Sequence, residues 1–111
     1  MSWKKLEESE YEDYFDALSK RLKDEKAEKA EIEVLAVGTM EEKQTGWISF
    51  YGISYDPPEK IVSIICEYID HRIKQPQKIS VHETGAGVDT VEIVGGDGYE
   101  HVLKFKEPIR R

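Results

Sequence analysis

The run TVEIVGGDGYEHVLKFK, residues 90–106, decides the fold class. Thr90 to Val94 and Tyr99 to Lys106 are β-branched and aromatic stretches on either side of Gly95-Gly96-Asp97-Gly98. A tight turn between antiparallel strands requires positive φ, which glycine reaches without steric cost, so the segment predicts a β-hairpin.

Toward the N-terminus, Lys78 to Glu83 predicts another strand, joined to the hairpin by a Gly85-Ala86-Gly87 loop. Trp47 to Tyr55 and Lys60 to Cys66 predict a second hairpin, because Asp56-Pro57-Pro58-Glu59 between them fixes φ and removes ladder donors. Alternation in the earlier strand puts Trp47, Tyr51, Ile53 and Tyr55 on one face and Ile48 and Phe50 on the other. Gly52 interrupts the second face, as at a bulge or a close backbone approach. Ile32 to Val37 is apolar on both faces, as a central strand would be; Gly38 ends it, and a polar loop runs to Gly46. Glu67 to Gln75 fits two periods at once. Ile65, Tyr68, Ile69 and Ile73 suit a helical turn, whereas Ile69, His71 and Ile73 alternate, and the segment reads as irregular. Pro108, Arg110 and Arg111 read as a frayed end.

The first element differs in kind. Ser9 and Glu12 have the spacing of a capping box, which starts a helix near Glu10. Tyr11, Tyr14, Phe15, Leu18 and Leu22 then recur on one helical face, to about residue 23. Glu10, Glu12, Asp13 and Asp16 occupy the dipole-positive start, and Lys20, Arg21 and Lys23 the negative end. Asp24 to Lys29 either extends the helix or connects it onward. One helix followed by strands over about 32–37, 47–55, 60–66, 78–83, 90–94 and 99–106 predicts an α+β fold. In it the amphipathic helix packs on a mostly antiparallel sheet of five or six strands that has room to curl, because hairpin-length links exclude parallel crossovers.

The 111 residues fit a single domain over 1–111, and 39% hydrophobic against 35% charged residues is too apolar for disorder. A net charge of -7 repels phosphate backbones, so nucleic acid is not an expected partner. There is no apolar stretch near the roughly 20 residues that span a bilayer, and Met1 to Glu12 is charged, so no membrane association and a cytoplasmic location are expected. Cys66, the only cysteine, allows no internal disulfide and reads as a buried small hydrophobe.

No catalytic set emerges, and no metal or cofactor is expected. Asp70-His71 is the most chemical-looking pair, since a carboxylate can orient an imidazole base, but neighbours in an extended chain seldom face each other. His71, His82 and His101 lack helical ligand spacing and read as scattered, although neighbouring strands could bring them together. Trp47, Phe50, Tyr51 and Tyr55 read as packing beneath the helix and not as a base-stacking platform. The glycine-rich turn precedes a strand, not the helix N-terminus of a phosphate loop. Glu7 to Asp16 lacks the glycine-centred spacing of a calcium loop.

Tyr14-Phe15-Asp16-Ala17-Leu18-Ser19, Ile32-Glu33-Val34-Leu35, Gly52-Ile53-Ser54-Tyr55-Asp56-Pro57, Asp70-His71, Pro76, Ile79, Val81, Glu92-Ile93-Val94 and Asp97-Gly98 occur in an order and spacing that resembles a family. It is a family of small bacterial proteins catalogued only as a domain of unknown function, and the resemblance covers about Tyr11 to Pro108. At Tyr11 the family favours Trp. The resemblance implies no activity, but it includes Asp70-His71 in the family's pattern. Two functional expectations follow. The first is a non-catalytic binding or protein-interaction domain, with a protein partner or a homodimer through a sheet edge. The second is a small-molecule-binding protein or weak enzyme using a cleft near Asp70, His71 and Tyr55.

Overall fold

The structure, a computed structural model, describes the backbone of residues 2–24, 28–36, 42–44, 47–67 and 69–110, and the side chains of 2–21, 47–67 and 70–110. Strand β1 (Ser2–Lys5) leads through a 3-10 turn (Glu8–Glu10) into helix α1 (Tyr11–Asp24). Strands β2 (Glu28–Ala36), β3 (Glu42–Gln44), β4 (Ile48–Asp56), β5 (Ile61–Cys66), β6 (Ile69–Lys74), β7 (Lys78–Thr84), β8 (Gly87–Val94) and β9 (Tyr99–Ile109) follow. The fold is α+β, as expected, and among the described residues every strand pairing is antiparallel.

The six expected strands are present and three more join them. β1 escapes sequence reading because Trp3 is its one apolar residue, and β3 because Glu42, Lys43 and Gln44 carry no apolar signal. Neither strand was legible from its own residues; each is built by the ladder of its neighbour, β7 and β2 respectively. β6 corrects the irregular reading of Glu67 to Gln75: six residues pair in register with β5, so the alternation of Ile69, His71 and Ile73 wins over the helical spacing. β9 corrects the frayed end, since it runs through Pro108 and buries Ile109. The capping contact also lies earlier than Ser9 and Glu12: the Glu7 N–H donates to Glu10 Oε1 at 3.0 Å, and α1 begins at Tyr11. The Leu22 side chain, Val37, Gly38 and Tyr68 lie outside the described residues.

The strand order is β1-β7-β8-β9-β2-β4-β5-β6, with β3 attached to β2. The bend comes at β2. One of its edges pairs with β9 over Ala30–Ala36, while the other carries β4 over Glu28–Ala30 and then β3 over Glu33–Leu35. β4 thus leaves the ladder after three pairs, and α1 packs against its freed edge. There the Ser19 hydroxyl accepts from the Ile53 N–H at 2.9 Å and donates to the Ile53 carbonyl at 2.5 Å, satisfying both groups that a neighbouring strand would have paired.

Tyr11, Tyr14, Phe15 and Leu18 are buried along the expected helical stripe. They pack with Phe50, Ile53, Tyr55, Val62, Ile64 and Ile73 from the β4–β6 side and with Val81, Val91, Ile93, Leu103 and Phe105 from the other side. Burying such side chains is the main favourable term in folding, at about 1.5–3 kcal/mol each. The expected facing of β4 needs one correction. A bulge between Phe50 and Gly52 inserts a residue and flips the alternation, so Phe50, Ile53 and Tyr55 share the inner face, while Tyr51 turns outward.

The curl brings the far end of the sheet back to its middle. The Gly96 N–H, in the β8–β9 turn, donates to the Lys74 carbonyl at the end of β6 at 2.9 Å. Gly95 lies against Ile73, so that a Cβ placed there would come within 3.0 Å of the Ile73 Cγ2. Among the described residues β1 and β6 do not pair with each other, so the sheet curls without closing into a barrel.

Candidate functional site

Strand alternation and the curl together place the histidines. His71 lies on the inner face of β6 in the row Ile53, Ile64, His71, and His101 lies on the inner face of β9 between Tyr99 and Leu103. Their rings meet across the interior: His71 Nε2 is 2.9 Å from His101 Nδ1, and the centroids are 5.0 Å apart. One nitrogen donates and the other accepts, so at least one of the two imidazoles is neutral. Burial pushes the pKa of His71 below the ordinary imidazole value. His101 is lowered by burial first and then by the proximity of His71. Asp97 opposes the shift at both rings, and its Oδ2 stands 3.8 Å from His101 Nε2, a nitrogen that is buried and makes no hydrogen bond.

His71 and His101 thus come together, which the scattered reading did not anticipate. His82 stays apart: its Nδ1 contacts Asp89 Oδ1 at 2.7 Å, and its ring packs on Trp3. Asp70, one residue from His71, projects to the opposite, solvent-facing side of β6 and pairs with Arg72 at 3.4 Å. Tyr55 shares the inner face with His71 but is separated from it by β5 and two residues of register. It packs edge-on against Tyr11 at 5.2 Å, and burial, followed by the charge of Glu8, raises the pKa of both phenols. The three residues singled out from sequence do not converge.

Cys66 is buried on the inner face, and burial raises its thiol to about 11, so the thiolate is scarce at neutral pH. Among the described residues no group of three His, Cys, Asp or Glu side chains gathers as a metal site would need. A groove of about 450 Å³ runs between β1 and α1 beside Lys4, Glu10, Asp13, Tyr14, Arg21 and Arg110 and mixes both charges.

The aromatic set divides. Phe50 and Tyr55 are core residues, whereas Trp47 and Tyr51 are 47% and 55% exposed. Ile65, next to Tyr51 across β4 and β5, is also exposed, as are Trp3 and Tyr99. Strict alternation grouped Ile53 and Tyr55 with the outward-facing Trp47 and Tyr51; Gly52 was the available signal of the bulge that separates them. The His71–His101 pairing had no local signal, because the two are 30 residues apart and meet only through the curl.

Among the described residues no helix is long and apolar enough to cross a membrane. No solved structure matches the chain. An uncharacterized protein of Aquifex aeolicus (strain VF5) is 31% identical over 110 residues, covering 98% of this chain and 96% of that protein. The resemblance that runs from Tyr14-Phe15 to Asp97-Gly98 is borne out: a family model matches residues 2–111, and the chain belongs to the family of unknown function DUF5335.

Proposed function

We propose that this protein is a non-catalytic interaction domain, formed by residues 1–111 as one unit and acting in the cytoplasm. The observation that carries this reading is the inward orientation of its imidazole pair. His71 and His101 bond to each other on the inner face of the sheet, where burial favours the neutral form of both rings. The solvent side offers binding features instead. Tyr51 and Ile65 are exposed together on the outer face of β4 and β5, one strand from the end of the sheet at β6. Exposed apolar side chains beside an unpaired strand edge suit the capture of another polypeptide. The net charge of -7 argues against nucleic acid as that partner, and a single buried cysteine suits a reducing compartment.

A thermal-shift screen of small molecules on the wild type and on His71→Ala tests the reading. Under it, His71→Ala lowers Tm, and no compound stabilises the wild type in a manner that depends on His71. A compound whose stabilisation of the wild type disappears in a folded His71→Ala variant would replace it with the small-molecule reading.

A further inference from the structure

We infer that the partner of the β6 edge is a second copy of this chain, paired antiparallel about a two-fold axis at His71. The inference deepens the interaction-domain reading and rests on it.

The backbone parity comes first. The Gln75 N–H donates to the Lys60 carbonyl at 2.7 Å, which makes that pair a hydrogen-bonded one in the β5–β6 register. Bonded and non-bonded pairs alternate along an antiparallel ladder. Ile73 and His71 therefore spend their backbone groups on Val62 and Ile64, whereas Asp70, Arg72 and Lys74 direct theirs away from β5. Two contacts elsewhere agree with this parity. The Lys74 carbonyl accepts from Gly96, on the side away from β5. Ile53, opposite Ile64, turns its N–H and carbonyl away from β5 to Ser19. Among the described residues the N–H and carbonyl groups of Asp70 and Arg72 have no partner strand.

The side chains then select the partner. Asp70 and Arg72 stand on the outer face, both exposed. In an antiparallel pairing centred on His71, Asp70 lies opposite Arg72 of the second copy and Arg72 opposite its Asp70. Both are outward-directed residues, so each such pair exchanges two backbone hydrogen bonds. Ile69 falls opposite Ile73, and no like charges oppose. Centring the axis on Arg72 would set two guanidinium groups against each other and use the Lys74 carbonyl that Gly96 already occupies. The other end of the sheet is guarded: β1 is four residues long and carries Lys4 and Lys5, which discourage strand addition. Sequence and parity thus make the β6 edge complementary to itself, as an isologous interface requires.

Sedimentation of the full chain across about 1–500 µM tests the inference, because a short strand edge lies at the small end of protein interfaces. The wild type should pass from monomer to dimer within that range. Asp70→Arg and Arg72→Asp each convert two attractive cross-strand pairs into repulsive ones, and each should weaken the dimer by roughly tenfold or more. An equimolar mixture of the two variants restores opposite charges in both pairs and should dimerise as the wild type does. Circular dichroism confirms that each variant is folded before it is compared. Rescue on mixing supports the inference. A wild type that stays monomeric throughout overturns it, as does a dimer indifferent to both reversals. Neither result touches the broader interaction reading, which the His71-dependent ligand screen decides separately.

Discussion

Ser19→Ala removes the hydroxyl that bonds α1 to the freed edge of β4, and its cost can be worked from the geometry. The hydroxyl makes two hydrogen bonds to one residue, to the Ile53 N–H at 2.9 Å and to the Ile53 carbonyl at 2.5 Å. A net hydrogen bond is worth about 1 kcal/mol, and a buried donor or acceptor left without a partner costs about 1–3 kcal/mol. Two fully buried orphans would therefore cost roughly 2–6 kcal/mol. The site is only partly buried, so water can reach it and the lower part of that range applies, at about 2–3 kcal/mol. With about 2.1 cal/mol/K of unfolding entropy per residue over the 111-residue chain, Tm should fall by about 10 °C. Urea denaturation followed by circular dichroism measures the change, and an unaltered m-value shows that stability, not compactness, has moved. Ser19→Thr, which keeps the hydroxyl, serves as the control and should retain most of the stability. A loss below about 0.5 kcal/mol for Ser19→Ala would refute the reasoning, because the helix would not then be replacing a strand.

Other consequences of the fold are testable in the same way. Phe15→Ala empties a fully buried position of the helical stripe and should cost about 3–5 kcal/mol in urea denaturation. Gly87→Ala should cost about 2 kcal/mol or more by the same assay, since φ there is +129° and a Cβ would sit 2.2 Å from the Ile109 carbonyl oxygen. The histidine pair makes stability pH-dependent. Both pKa values are lowered on folding, so the unfolded chain binds protons first as pH falls, and the contribution is complete above the ordinary imidazole value and lost as pH drops through the folded values. The urea midpoint should therefore be higher at pH 7.5 than at pH 5.5, and a folded His71→Phe, His101→Leu double variant should show a weaker dependence.

What the sequence disclosed follows from the range of the forces involved. The 90–106 hairpin and the Tyr11-to-Leu18 stripe were legible because glycine conformation and helical periodicity act within a few residues. Ser2–Lys5 and Glu42–Gln44 were not, because edge strands take their conformation from a neighbour's ladder and need no apolar pattern of their own. In β4 the alternation was read correctly up to the bulge and inverted after it, so Ile53 and Tyr55 were grouped with Trp47 and Tyr51 when they share the face of Phe50, even though Gly52 had flagged the irregularity. The candidate site was half legible. His71 was singled out beside Asp70, yet Asp70 turns outward, and the true neighbour of His71, His101, arrives from β9 through a curl that no local signal encodes.

The curl joins His71 to His101 on the inner face, and the proposed binding role falls to the outer face and the β6 edge. Nitrogen-15 NMR of the imidazole rings across a pH titration tests it most directly. His71 and His101 should both be neutral at pH 7, one imidazole N–H should be shared between them and exchange slowly with water, and both rings should titrate below the ordinary value, with His101→Leu altering the titration of His71. Two rings titrating independently at the ordinary imidazole value, with freely exchanging protons, would contradict it.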